Sequence, residues 1–600
     1  LFVASTATAQ LNFEPITHNY DSDVVVVPAS PLKTQVLFIG GVDMVQTTPT
    51  YGNPATEVPA KQWHDFIGFT PDNDSDDLGW VIVNHERIQA DDNIGDGGGM
   101  TSFKIRRDAN TDTLQIVSQT LSDGRSGEYF NVDFANTVGE TGMNCGGISA
   151  PDGRIWTAEE WFRDNNEDLF DQDRDTSLFT IGTGTANGQL APNGFPGFNG
   201  ETMEKYQNYN WMVEVDAAEA VAVRKQYNWG RQPFEGGAVV DNQTVYLGAD
   251  ATPGFFTKFE ADTPGDFTSG RLFVYKHDAP GKWIEIDNGD FQKMLNFKDE
   301  AVSVGATMFN RIEWVAHDPV TNAVYFTETG RDNPGGNWEG EFTDGAVLAP
   351  HHNIRAQIQG NDPFGDDYWD YYGRVIKFDL ATEETSIFLE GGPYFPQDSV
   401  SSAEYPDIHL SNPDGLSVGQ VNGRPFMIVQ EDLNGTSNGR VPRDLTTNRI
   451  CEMFLLDLTI PNPDVNDLVR ISVVPVGAEI TGAIFTPDGK TILVNSQHPS
   501  SDNPFPYNNS LTYAITGWDE LVTTSLTPVF DQEDDFSIWP NPAFREIHFQ
   551  DNMDVAIYDS NGQRILVKRD VNVVNISDLA PGVYFIQNGN GTTKKLVIQK

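Results

Sequence analysis

The segments N-C-G-G-I-S (144–149) and R-I-W-T-A-E-E (154–160), joined by A-P-D-G (150–153), decide the architecture. Two short apolar runs meet at a Pro-Asp-Gly turn, which predicts an antiparallel hairpin. The second strand finishes on adjacent glutamates, and the first carries Cys145, one of only 2 cysteines in the chain. The same ending recurs in W-V-I-V-N-H-E (80–86), V-Y-L-G-A-D (245–250), V-Y-F-T-E-T (324–329), F-M-I-V-Q-E-D (426–432) and I-L-V-N-S-Q-H (492–498). Each is a run of Val, Ile, Leu, Phe, Tyr or Met that finishes on Glu, Asp or His, and successive endings lie 67 to 103 residues apart. Six such repeats predict an all-β, six-bladed β-propeller whose blades are lengthened by inserted loops.

A second series precedes the first: Cys145, Glu235, Glu313, Asp414 and Glu479 stand 15, 15, 15, 17 and 19 residues ahead of Glu160, Asp250, Glu328, Glu431 and His498. A hairpin brings the members of each pair together, and in a propeller the innermost strands converge on the axis. Several carboxylates gathered within a few Å repel one another unless protonated or neutralised. Oxygen-rich sites suit Ca2+, whereas a thiolate shifts the preference toward a transition metal. The expected site is therefore mixed, with iron or zinc near Cys145 and calcium on the oxygen-only side. The glycines beside Cys145 suit a close backbone approach at such a cluster. The acidic loops D-N-D-S-D-D (72–77) and D-N-N-E-D-L-F-D-Q-D-R-D (164–175) lack the glycine and terminal Glu spacing of an EF-hand and read as solvated loops, with peripheral calcium as the alternative.

The bulk composition agrees with a secreted β protein. Six hundred residues with 55 glycines suit a large turn-rich architecture, and helical periodicity is confined to short pieces such as 291–297. With 38 basic and 87 acidic residues the net charge is −49, which excludes nucleic acid and anionic membranes as partners. Two cysteines build no disulfide framework, though they allow one bridge. Residues 1–10, L-F-V-A-S-T-A-T-A-Q, read as the tail of a secretory signal peptide. The propeller is assigned to 11–530 and an acidic linker to 531–535. Residues 536–600 hold 6 Asp/Glu and 7 Lys/Arg, so the part before them carries −50. Alternating strands and Asn-Gly and Pro-Gly turns make this last segment a small, appended β-sandwich.

That segment resembles the type A sorting domain of the type IX secretion system: it opens W-P-N-P (539–542), continues with D-S-N-G-Q (559–563) and L-A-P-G-V-Y (579–584), and ends K-K-L-V-I-Q-K (594–600). The resemblance implies recognition by the type IX machinery and export across the outer membrane, to the cell surface or beyond. The body in turn resembles the PhoX-type alkaline phosphatases. The likeness is carried, in order, by N-H-E (84–86), N-C-G-G (144–147), E-E (159–160), F-E-G-G-A-V (234–239), R-I-E-W-V-A (311–316), N-P-D-G-L (412–416), E-I-T-G (479–482), F-T-P-D-G-K-T (485–491) and N-S-Q-H-P (495–499). It implies hydrolysis of phosphate monoesters at a central iron–calcium (Fe3+ and Ca2+) cluster, by a protein expected to act as a monomer. Carried over, it makes Cys145 the iron ligand and Glu235, Glu313 and Glu479 further metal ligands, with Glu159 or Glu160, Asp250 and Asp414 as additions. Arg311 becomes the phosphate clamp, a role that a guanidinium suits because it binds phosphoryl oxygens bidentately. His85, Glu86 and His498 are the outer-shell or acid candidates.

The chain departs from the family's pattern in three places. The family's lysine shortly before the cysteine is missing, since no lysine occurs between Lys104 and Lys205; H-E-G reads F-E-G, and Cys-Glu-Glu reads Ala-Glu-Glu. Two other readings use the same acids: a calcium-dependent lactonase- or phosphotriesterase-like propeller, and a non-catalytic surface propeller that binds calcium for stability.

Overall fold

Runs rich in Val, Ile, Phe, Tyr and Trp, broken by Asn-Gly, Asp-Gly and Pro-Asp turns, fold here into mainly antiparallel sheets, the larger of four to seven strands. The computed structural model describes residues 15–16, 22–49, 54–87, 94, 97–160, 176–183, 193–251, 253–330, 348–362, 365, 367–392, 407–421, 424–432, 451–518, 536–559, 564–577, 579–589 and 593–599. Residues 1–10, 164–175 and 531–535, assigned above to a leader tail, an acidic loop and a linker, lie outside them. The chain divides into two compact units, 1–458 with 463–523, and 459–462 with 524–600.

The first unit is the six-bladed propeller. The strands of blade 1 that run outward from the centre are His64–Pro71, Gly79–His85, Met100–Arg107 and Leu114–Val117. Blades 2 to 5 begin with the hairpins Asn144–Ser149/Ile155–Glu159, Phe234–Val240/Thr244–Ala249, Ile312–Asp318/Ala323–Glu328 and Pro413–Val421/Arg424–Glu431. Blade 6 is Glu479–Phe485, Thr491–Gln497 and Leu511–Thr516, and its fourth strand is Lys33–Ile39 from the other end of the chain. The six innermost strands pack each against the next, and the last against the first, so the ring closes. Blade-to-blade contact is apolar: Phe38, Val81, Ile82, Trp156, Leu247, Val324 and Ile428 are among the buried side chains. Each contributes about 1.5–3 kcal/mol on the usual scale for burying a large apolar group. The short helices Phe291–Leu295 and Phe297–Ser303 occupy the stretch with helical periodicity. No helix among the described residues is long and apolar enough to cross a membrane.

One local device repeats around the ring. In blade 1, His64 pairs with His85 and Ile67 with Val83, so three steps on the inner strand match two on its neighbour. The same extra residue follows Asn144, Phe234, Ile312 and Pro413. A bulge of this kind re-aims the side chain it carries, and the bulged residues are Asp65, Cys145, Glu235, Glu313 and Asp414. Blade 6 differs: its bulge falls between Thr481 and Ile484, so Glu479 stands two pairs further along the strand.

The second unit contains a four-stranded antiparallel sheet in the order Arg564–Asn575, Glu546–Tyr558, Gly582–Asn588, Thr593–Ile598. Phe536 and Ala543 share its core with Ile547, Ile557, Ile586 and Leu596.

Candidate metal and phosphate site

The residue after each second strand is fixed by the backbone. The N–H groups of Glu86, Glu160, Asp250, Thr329 and Asp432 donate to the carbonyls of Trp63, Met143, Pro233, Arg311 and Asn412 at 2.9–3.1 Å. Those acceptors stand two residues before Asp65, Cys145, Glu235, Glu313 and Asp414. Blades 1 to 5 therefore each present a pair at the same end of the ring: Asp65 with Glu86, Cys145 with Glu160, Glu235 with Asp250, Glu313 with Thr329, Asp414 with Asp432.

This register corrects two of the pairs expected from the sequence. The partners of Glu313 and Asp414 are Thr329 and Asp432, one residue beyond Glu328 and Glu431. Successive side chains leave a strand on opposite faces, so the acids one residue earlier point into the blades. Glu328 accepts from Arg374 Nη1 at 2.8 Å, and Glu431 accepts the backbone N–H groups of Ser411 and Glu452 at 3.0 Å. Glu159 belongs to the same layer and departs from its expected place among the metal ligands. Its carboxylate takes the buried Lys225 ammonium at 2.8 Å, Thr141 Oγ1 at 2.7 Å and the Trp211 N–H at 3.1 Å, which leaves it nothing to offer the centre.

At the centre two triads form. One donor atom each from Cys145, Glu160 and Glu235, and one each from Glu235, Glu313 and Asp414, lie within 4.8 Å of one another, and Glu235 belongs to both. Gly146 permits this: a Cβ there would stand 1.6 Å from the Glu235 carbonyl oxygen, so no other residue lets the Cys145 strand approach so closely. Glu160, Glu235, Glu313 and Asp414 all have carboxyls pushed well above their usual range, by burial first and then by neighbouring carboxylates. Burial and the charges of Glu235 and Glu160 push the Cys145 thiol up as well. Glu160 Oε2 is buried without a hydrogen bond, and Cys145 Sγ has only weak contacts, 3.5 Å to the Phe234 carbonyl and 3.9 Å to that of Ala158. Buried acceptors with no donor fit a cation. Both cysteines are buried, and neither is in a disulfide.

Arg311 stands beside these triads. Its Nε and Nη2 donate to Asp250 Oδ1 and Oδ2 at 2.8 and 2.7 Å, and Nη2 lies 3.1 Å from Glu313 Oε1. Asp250 is thus engaged by the guanidinium and stands outside both triads. Glu479 also lies outside them, 3.5 Å from His498 Nε2. It belongs to a second acidic group with Glu86, Asp65, Asp414 and Asp432: burial and then Asp65 and Glu479 raise the Glu86 carboxyl, and burial is the main cause raising that of Asp65. Gln497 Nε2 donates to Glu86 at 2.7 Å. His85 faces the blade interior, against the Gln62 carbonyl and Thr101 Oγ1, and burial keeps its ring neutral. The D-N-D-S-D-D loop holds Lys104 between Asp72 and Asp77, at 2.6 and 2.9 Å.

Two members of the site, Asp65 and Asp432, were not singled out from the sequence. Asp432 ends a recognised run but sits one place past the acid selected. Asp65, in W-H-D-F-I-G-F (63–69), precedes Glu86 by 21 residues, outside the 15–19 spacing of the other pairs.

Comparison with known proteins gives these features a family. The model of the alkaline phosphatase PhoX family matches residues 11–500, and that of the secretion system C-terminal sorting domain matches 537–599. The chain belongs to the PhoX alkaline phosphatase family, whose members are metal-dependent phosphatases, and its sorting domain marks it for type IX export to the cell surface or medium. No curated protein matches it. Among solved structures, Pseudomonas fluorescens PhoX in complex with vanadate, a transition state analogue, is similar at 18% identity and TM-score 0.56, over 86% of this chain and 99% of that one. A Trypanosoma rangeli sialidase in complex with sialic acid gives 10% identity and TM-score 0.33, over 81% and 59%. A Xanthomonas campestris gluconolactonase gives 8% and 0.31, over 82% and 99%. The first of these shares the fold.

Proposed function

We propose that this chain is an exported phosphomonoesterase whose reaction takes place over the two triads that share Glu235. The observation that carries the reading is the composition of those triads: a thiol in one, oxygen alone in the other, with a Glu160 oxygen of the first buried and without a hydrogen bond. Cys145, Glu160 and Glu235 would hold iron, because a thiolate favours a transition metal over calcium. Glu235, Glu313 and Asp414 would hold calcium, and the group of Asp65, Glu86, Asp432 and Glu479 offers further oxygen ligands. Such a cluster supplies Lewis-acid binding of phosphoryl oxygens and neutralises the charge that develops in the transition state.

The residues of the chain do the positioning. Asp250 grips Arg311 through Nε and Nη2, which fixes the plane of the guanidinium and leaves Nη1 for a phosphoryl oxygen. Asp250 is therefore a positioning residue. The missing lysine has no substitute within the triads. Among the described lysines, Lys225 is spent on Glu159, Lys205 on Glu140 and Lys104 on Asp72 and Asp77. Arg311 then carries the protein's share of phosphate recognition.

Hydrolysis of p-nitrophenyl phosphate, inhibited competitively by vanadate, is the test. Arg311→Lys, which keeps the charge but loses the planar fork, should raise KM and weaken vanadate inhibition together, each about tenfold or more. Hydrolysis that is indifferent to vanadate and to Arg311 would remove the reading.

A further inference from the structure

The residues two places before the bulge form a set of their own. In four of the five blades that carry the bulge at this end, Trp63, Met143, Arg311 and Asn412 have left-handed backbones, with φ of 63, 51, 60 and 51°; blade 3 has Pro233 in that place. Glycine suits that conformation, while a bulky side chain is strained in it. Strain of this kind persists where a side chain has work to do at a site. Met143 and Asn412 are buried, and the Asn412 amide is spent on the backbone carbonyls of Thr329 and Tyr371. Arg311 and Trp63 are the open members, the former with 23% of its side chain exposed and the latter 38% exposed.

Their places in the ring are opposite. The inner strands close in chain order, so blade 4, which carries Arg311, is three steps from blade 1, which carries Trp63, in either direction. The indole does not stand alone. The His498 ring packs on it at a centroid distance of 5.2 Å and a tilt of 60°, and is held there by the Gly477 carbonyl, 3.0 Å from Nδ1, and by Glu479. Trp63 is anchored at its own backbone, where its N–H donates to Ser510 Oγ at 2.8 Å.

We propose that Trp63, backed by His498, is a leaving-group platform that gives the site a preference for phosphate esters of aromatic alcohols. An ester whose phosphoryl group is held at the triads by Arg311 directs its leaving group away from that guanidinium, toward the opposite blade. An aromatic ring reaching blade 1 meets the indole face, and stacking on it adds affinity that an alkyl group does not gain. Trp63 touches no reacting atom and sets specificity only.

The inference rests on the phosphatase reading for its substrate, so its test reads binding without turnover. Calorimetric titration of the metal-loaded full chain with phenylphosphonate and methylphosphonate should show the phenyl compound binding about tenfold more tightly. Trp63→Gly, whose new residue suits the backbone and so preserves the fold, should weaken phenylphosphonate alone, leaving methylphosphonate and inorganic phosphate within twofold. Trp63→Phe should restore most of the preference. Equal affinities in the native chain, or a parallel weakening of all three ligands in Trp63→Gly, would overturn the proposal. A chain that shows the phenyl preference but hydrolyses no ester would leave the platform standing and remove the phosphatase reading instead.

Discussion

Glu159 and Glu160 are neighbours in the chain and sit in opposite environments, because the strand turns their side chains to opposite faces. Glu160 meets Cys145 and Glu235 at the centre, while Glu159 neutralises the buried Lys225. Substituting each should therefore fail differently. Glu160→Gln is expected to leave the melting temperature of the metal-free protein unchanged while lowering bound metal and hydrolysis by tenfold or more, read by elemental analysis and assay. Glu159→Gln strands a buried ammonium and should cost about 3–5 kcal/mol in urea unfolding. The sequence supplied both acids but not the choice between them, since E-E at a strand end looks the same in either register. Arg311 was singled out through the family resemblance, with the bidentate fit of a guanidinium to phosphate as its chemical support. The use of Asp250 as its holder was not, because that depends on a contact 61 residues apart.

At the level of the element, the strand-end acids form two layers, one facing the centre and one turned into the blade, where Glu159 and Glu328 meet a cation and Glu431 meets backbone N–H groups. Blade 4 shows the inner layer fully: Arg374 pairs with Glu328 at 2.8 Å and with Asp370 at 2.7 Å, and Arg355 also pairs with Asp370. Arg374→Met leaves two buried carboxylates short of a partner and should destabilise the protein by about 3–5 kcal/mol in chemical unfolding. Blade 1 gives a pH test well away from the site. Hydrogen bonds from Lys104 and then Ser75 hold the Asp72 carboxyl down at about 2, against an ordinary 3.8. A carboxyl lowered by folding contributes its stability above the unfolded value and loses it as pH falls through the folded one. Asp72→Asn should thus be less stable than the native chain at about pH 6, with the difference closing between about pH 4 and 2. The strands themselves were readable from their β-branched and aromatic runs. The bulges were not, and in blades 4 and 5 the acid taken as the central partner, Glu328 or Glu431, is the residue paired across the hairpin with Ile312 or Pro413, so the central slot falls one place later, on Thr329 and Asp432.

For the whole molecule, six repeats of one strand ending were enough to predict the propeller, and an abrupt change of charge near 536 marked off the sorting domain. Ring closure was invisible, since Lys33–Ile39 joins Leu511–Thr516 across nearly the full length of the chain. Phe38 fastens that closure, stacked on His64 at 4.5 Å and on Tyr129 at 5.1 Å. Phe38→Ala should cost about 3–5 kcal/mol although it lies in the strand of blade 6 furthest from the centre in pairing order. The central claim is that a transition metal bound through Cys145 serves the phosphatase site. It is tested most directly by comparing the native chain with Cys145→Ser for iron and calcium content, for a visible thiolate-to-iron absorption band, and for p-nitrophenyl phosphate hydrolysis. Iron with calcium in the native chain, and loss of iron, colour and hydrolysis together in the variant, is the result expected. A colourless, calcium-only protein whose hydrolysis is unchanged by Cys145→Ser would contradict it.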